Sequence, residues 1–132
     1  MKKEVFTTPK KSSALNKIKE WSSLNSIFEI CGFLGKKDDK YCVIMCENQS
    51  RTPQLNFSID PMDYLLFLDE NEPIALFHSH IKGDEEASEK DIMMSENSCL
   101  PFLIYSLNSG KFSIHIPKEN IADVEVLSKL KI

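Results

Sequence analysis

Four successive apolar residues, Ile74-Ala75-Leu76-Phe77, follow Pro73 and run straight into the polar triplet His78-Ser79-His80. A strand with one wet face alternates apolar and polar residues, whereas an unbroken run suits a central strand covered on both faces. Both covers must then come from elsewhere in the chain, and its periodicities supply them. Leu15, Ile18, Leu24 and Ile27 recur at helical spacing and predict a helix over residues 12–28, capped by Ser12 or Ser13. Asp60-Pro61 places a cap and an N1 proline ahead of Met62, Leu65, Leu66 and Leu68, a short second helix. Ser88 opens a third helix over 88–98, and Ile121, Val124, Leu127 and Leu130 mark a last one from Lys118.

Between these lie strand signals. Phe33-Leu34 and residues 41–45 predict a hairpin turning at 36–40, and Phe57 and Ile59 alternate as a short strand. Residues 102–105 form another strand, then a turn at Asn108-Ser109-Gly110, then the alternating Phe112, Ile114 and Ile116. Residues 47–53 and 81–87 read as loops. Helices alternating with strands predict a layered α/β fold, a mixed β-sheet flanked by helices. With 132 residues the chain fits a single domain, 1–132. Residues 1–11, with Lys2, Lys3, Lys10 and Lys11, read as a flexible, solvated N-terminal arm.

Composition narrows the function classes. The net charge is −4 and the lysines are scattered, so the basic stripe of a nucleic-acid binder is absent. No apolar run approaches the ~18 residues of a membrane span. The polar start, Lys2-Lys3-Glu4, has no apolar h-region, which predicts a cytoplasmic protein. Cys31, Cys42, Cys46 and Cys99 form neither a CxxC pair nor a disulfide rhythm, as expected of free thiols in a reducing compartment.

The chemistry is concentrated in one stretch: His78-Ser79-His80, seven residues, Ser88, two residues, Asp91. Histidines two apart at a strand end project from one face and can converge on one ion. Asp91 stands three residues after Ser88, on the same helix face, and the loop at 81–87 is long enough to return that helix start over the strand end. Two imidazoles and a carboxylate are a ligand set for catalytic zinc, with water in the fourth position. Ser88 and Asp91 also form a capping box, and the two roles are compatible because the cap would orient Asp91. The joint spacing arises by chance in on the order of one chain in a few thousand. His115 has no partner in the pattern.

His78, His80, Ser88 and Asp91 match at every spacing the H-x-H-x7-S-x2-D signature of the JAMM metalloproteases of the JAB/MPN domain, which this sequence resembles. The family's upstream glutamate often precedes a Cys-Gly pair near the end of the first helix, and Glu29-Ile30-Cys31-Gly32 looks like that segment. The resemblance spans residues 14–117. Around Phe57-Ser58-Ile59-Asp60-Pro61 and Leu100-Pro101-Phe102 it is nearest the small bacterial and phage branch. Ile81 and Ala87 stand where many members have proline, a departure that bears on loop stiffness rather than on ligands.

The resemblance implies a cytidine-deaminase-like sheet with one Zn2+ per chain held by His78, His80 and Asp91. It makes Glu29 the general base and Ser88 the donor to the oxyanion. The deaminase signature itself, H-x-E with P-C-x-x-C, is missing. The implied reaction is hydrolysis of an isopeptide or peptide bond at the tail of a ubiquitin-like protein, the conjugate being the partner. The alternative is a phage or prophage tail-assembly peptidase, although such proteins usually continue into a second hydrolase domain and this chain ends at Ile132. An alternative of another class is a metal-free MPN scaffold that only binds proteins.

Overall fold

A computed structural model describes residues 3–128 and arranges them as a mixed six-stranded sheet between helices. The first element among the described residues is strand β1 (Glu4–Thr8), within the 1–11 segment that the sequence predicts as a flexible arm; residues 1–2 lie outside the described residues. β1 pairs antiparallel with β3 (Lys40–Cys46), Phe6 packs against the core, and Lys3 binds Asp63 at 2.5 Å. Those contacts outweigh the polar character of the segment and fix it as an edge strand.

Helix α1 (Lys11–Leu24) is shorter than its periodicity predicts. The Asn25 side chain turns back onto the Trp21 carbonyl at 2.8 Å, which ends the helix and leaves Leu24 and Ile27 in solvent. Its N-cap is Lys10, with no side-chain cap bond, rather than Ser12 or Ser13. β2 (Cys31–Lys37) and β3 are joined by the tight turn Asp38-Asp39, both residues at positive φ (51° and 62°), as a two-residue hairpin requires.

No strand forms at Phe57–Ile59. The Asn48 side chain instead serves the backbone there, accepting from Ser58 N at 3.1 Å and donating to Asn56 O at 3.0 Å. Helix α2 (Pro61–Glu70) starts as predicted, with Asp60 accepting from Met62 N and Pro61 at N1. β4 (Glu72–His80) is the buried central strand, antiparallel to β2 on one side and parallel to β5 (Phe102–Ser106) on the other. The crossover between these parallel strands carries helix α3 (Glu89–Ser98). β6 (Phe112–His115) completes the order β1-β3-β2-β4-β5-β6.

The last helix starts later than expected: among the described residues α4 spans Val124–Ser128, and Leu130 lies outside them. Residues 118–123 form a loop anchored by Ile121 N on the Cys99 carbonyl at 3.0 Å. Two cores sandwich the sheet. Ala14, Ile18, Trp21, Val43, Phe77 and Leu103 pack on the α1 face, and Phe33, Phe57, Phe67, Leu76 and Phe102 on the α2/α3 face. His78 follows Leu76 by two, so its ring enters the second layer.

Gly32 sets how closely β2 lies in this sandwich. A Cβ there would sit 1.9 Å from the Ile44 carbonyl oxygen and 2.7 Å from the Phe77 ring, neither of which is a flexible end. Gly32→Ala is predicted to cost about 3 kcal/mol or more in urea unfolding. A loss below about 1 kcal/mol would show that the strands can separate without penalty.

Candidate metal centre

The carboxyl end of β4 places His78 and His80 on one face, and the α3 crossover brings its own first turn back above them. Ser88 is the N-cap: its Oγ accepts from Asp91 N at 3.1 Å, and its N–H donates to Asp91 Oδ2 at 3.0 Å. This reciprocal capping box aims the Asp91 carboxylate at the strand. His78 Nε2 lies 3.0 Å from Oδ1 and His80 Nε2 3.0 Å from Oδ2. The spacing pattern therefore converges in space as predicted.

The ring nitrogens show what the cluster needs. His80 Nδ1 is 2.8 Å from the Asp84 carbonyl oxygen, which can only accept, so Nδ1 carries the hydrogen. Neutral His80 then directs a bare Nε2 lone pair at a carboxylate oxygen, an arrangement that calls for a proton or a cation between them. His78 is fully buried, its Nδ1 has no hydrogen-bond partner, and its Nε2 meets the Asp91 carboxylate at 3.0 Å. Phe57 stacks on its ring at 4.4 Å and Phe102 meets it edge-on at 5.4 Å, so the ring cannot turn to find one. A buried polar group without a partner costs about 1–3 kcal/mol.

A divalent ion would relieve the first defect and would take one of the two His78 nitrogens as a ligand, the one facing Asp91. One ligand atom from each of His78, His80 and Asp91 lies within 4.8 Å of the others, a spread compatible with bonds of about 2.0–2.2 Å to one small ion. The donor set fits such a metal. Among the described residues no other group of this kind occurs, and the four cysteines are free and apart from it.

Charge in the cluster follows the same logic. Burial drives the His78 pKa down despite Asp91, whereas the Asp91 contact holds that of His80 up against burial. Burial also works against ionised Asp91, but the two imidazoles and the Ser88 N–H outweigh it and hold the carboxyl well below the usual range. The neutral form that burial favours for His78, beside an ionised Asp91, is the protonation state that metal ligands need, and a bound ion would displace the proton that Asp91 favours on His80.

Glu29 lies across the cleft, which it lines together with His80, Ser88 and Asp91. It is not at a helix end but in the loop leading into β2. Its backbone is pinned there, N–H to the Pro53 carbonyl at 2.8 Å and carbonyl to Asn48 Nδ2 at 2.9 Å. Burial raises its carboxyl from 4.5 to about 7, with His80 pulling the other way. Ser79, which the spacing argument passes over, fixes this placement. Its Oγ accepts from Ile30 N at 2.9 Å and its N–H donates to Ile30 O at 3.0 Å, zipping the Glu29 segment against the His78–His80 strand. Only the antiparallel pairing of β2 with β4 reveals that role.

The loop at 81–87 is equally constrained. Ser106 Oγ donates to Gly83 O at 2.8 Å, Ser109 Oγ to Glu85 at 2.7 Å, and Ser113 Oγ to Glu85 O. His115 meets Glu96 at 3.4 Å, away from the cleft.

No protein-family model matches the chain. The tail tip assembly protein K of Escherichia phage N15 is 28% identical over 97 residues, 74% of this chain. The chain spans about 40% of the length of that relative. A Desulfitobacterium hafniense protein of known solution structure shares the fold, with a TM-score of 0.60 at 20% identity over 80% of this chain and 87% of that one.

Two measurements check the site. Titration calorimetry with Zn2+ should give one site per chain, weakened more than about 100-fold by His78→Ala or Asp91→Ala. Affinity unchanged in either variant would remove that residue from the ligand set. The second concerns metal-free protein. Because folding raises the Glu29 pKa from 4.5 to about 7, its contribution to stability is lost as pH rises through that window. Urea unfolding should therefore show Glu29→Gln gaining on wild type by on the order of 2–3 kcal/mol between about pH 5 and about pH 8. An equal difference at both pH values would mean that the carboxyl is not desolvated.

Proposed function

We propose that the chain is a zinc-dependent peptidase of the JAMM type that processes a protein during phage or prophage tail assembly. The observation that carries the peptidase reading is the cleft itself. Three ligand atoms lie close enough to share one ion, and a carboxyl of raised pKa and a serine hydroxyl line the same cleft. Two nitrogens and an oxygen favour zinc over magnesium or calcium, which take oxygen ligands.

A zinc ion held by the three ligands would supply a Lewis acid for the scissile carbonyl and bring the pKa of water to about 7. The chain's own groups do the rest. Glu29 takes a proton from the attacking water as its oxygen bonds to the carbonyl carbon. When the C–N bond breaks, the same carboxyl returns that proton to the leaving amine. A carboxyl near pH 7 is suited to both transfers. Ser88 Oγ accepts from Asp91 N, which leaves its own hydrogen free to donate to the developing oxyanion.

The tail-assembly context is supported by the relationship to the tail tip protein of phage N15. Processing of a ubiquitin-like tail rests on the family resemblance alone and stands behind it. The metal-free scaffold gives no reason for the His78 and His80 nitrogens to converge on the Asp91 carboxylate.

The test is co-expression with phage tail proteins, with fragments identified by mass spectrometry. Wild type should produce a cleaved protein. Glu29→Gln should keep its zinc and lose at least about 100-fold in rate, and Ser88→Ala should lose about 100-fold. If Glu29→Gln cleaves as fast as wild type, the base is misassigned.

A further inference from the structure

A second cavity adjoins the metal cleft. It measures about 350 Å³ and lies between α2 and α3, with Phe33, Leu76 and Phe102 of the sheet as its floor. Phe57 and Met94 line it and also line the cleft, so the two spaces meet at these side chains. Ser58 and Asn97, both exposed, stand at its mouth.

The walls are braced and offer mainly apolar surface. The Tyr64 hydroxyl donates to the Ser98 carbonyl at 2.6 Å, which ties α2 to the end of α3. Phe33 stacks on Phe67 at 4.6 Å, and the Phe57 and Phe102 rings meet at 5.9 Å, so the aromatic side chains hold one another in place. Polar groups along the cavity are already bonded within the chain. Besides Tyr64, Ser98 Oγ donates to the Ser95 carbonyl at 3.2 Å and Ser58 N to Asn48 Oδ1 at 3.1 Å. A preformed concave space of this kind rewards an apolar guest.

From its continuity with the cleft we propose that this cavity is a substrate subsite, taking one large apolar side chain, of leucine or phenylalanine size, close to the bond that is cut. A polar or charged side chain there loses water and finds no free partner in the walls. Lodging an apolar one fixes the register of the peptide, so that a single carbonyl is presented at the metal position. The substrate role rests on the peptidase reading; the binding of an apolar group does not, and the test separates them.

Blocked amino-acid amides are the probes, with the isotope-labelled methyl of Met94 as the NMR reporter and that of Met45, in the other core layer, as the control. The N-acetyl amides of leucine and phenylalanine should shift Met94 saturably, with or without Zn2+. They should do so at about ten-fold lower concentration than the serine and glutamine amides. Ser58→Trp/Asn97→Trp, which fills the mouth, should abolish the shift. Equal shifts by all of these amides, or no shift by any, would overturn the apolar site. An undiminished shift in the filled variant would place the binding elsewhere and overturn it too. A peptide-library digest by zinc-loaded protein reads the substrate role. Large apolar residues should be enriched about ten-fold at one fixed position near the cut by wild type, and not by the filled variant. Cuts without that enrichment would contradict the subsite while the peptidase reading stands. A saturable shift with no cuts at all would remove the peptidase reading and the substrate role with it.

Discussion

Asp91 carries a negative charge at 6% exposure, and a buried carboxylate is tolerated only where it is paired and hydrogen-bonded. Its partners explain much of the local architecture. The Ser88 N–H fixes one oxygen through the capping box, and two imidazoles meet the carboxylate from the strand below. To bring them together the chain must cross from the end of β4 to the start of α3 and hold that crossover still. The serines of β5, β6 and their turn serve that end by clamping the loop at 81–87. The aromatic walls of His78 serve it too, since they hold the ring with Nε2 against the Asp91 carboxylate and Nδ1 without a partner. Polar groups left unsatisfied inside a packed layer point to something bound there.

The sheet has a second task. Glu29 has no sequence neighbour among the ligands, and it reaches the cleft because β2 runs antiparallel to β4 with Cys31 opposite His78. Ser79 extends that zipper by one residue beyond the regular ladder. Glu29 is thus positioned by backbone hydrogen bonds and a buried hydroxyl rather than by a side-chain partner of its own. Its carboxyl consequently remains free to exchange a proton.

Much of this is legible in the residues. The apolar run before His78 identifies the central strand, and Asp60-Pro61 and Ser88 mark two helix starts correctly because caps act locally. The cluster of His78, His80 and Asp91 is legible because its spacing is short: strand, loop and helix start are contiguous. Errors occur where tertiary bonds override local preference. Asn25 ends α1 before its apolar period runs out. Asn48 takes the backbone partners that a strand at Phe57 would have used. The polar start of the chain is drawn into the sheet by the open edge of β3 and by Asp63. The setting of Glu29, in a loop rather than at a helix end, and the work of Ser79 both depend on cross-strand register, which no single segment encodes.

The central claim is that two histidines and one carboxylate share a zinc ion. X-ray absorption at the zinc edge on the reconstituted protein tests it most directly. The account predicts about four nitrogen and oxygen donors at about 2.0–2.1 Å, with the outer-shell scattering of two imidazoles. Sulfur at about 2.3 Å, which would place the metal on cysteines, or no zinc retained after reconstitution, would contradict it.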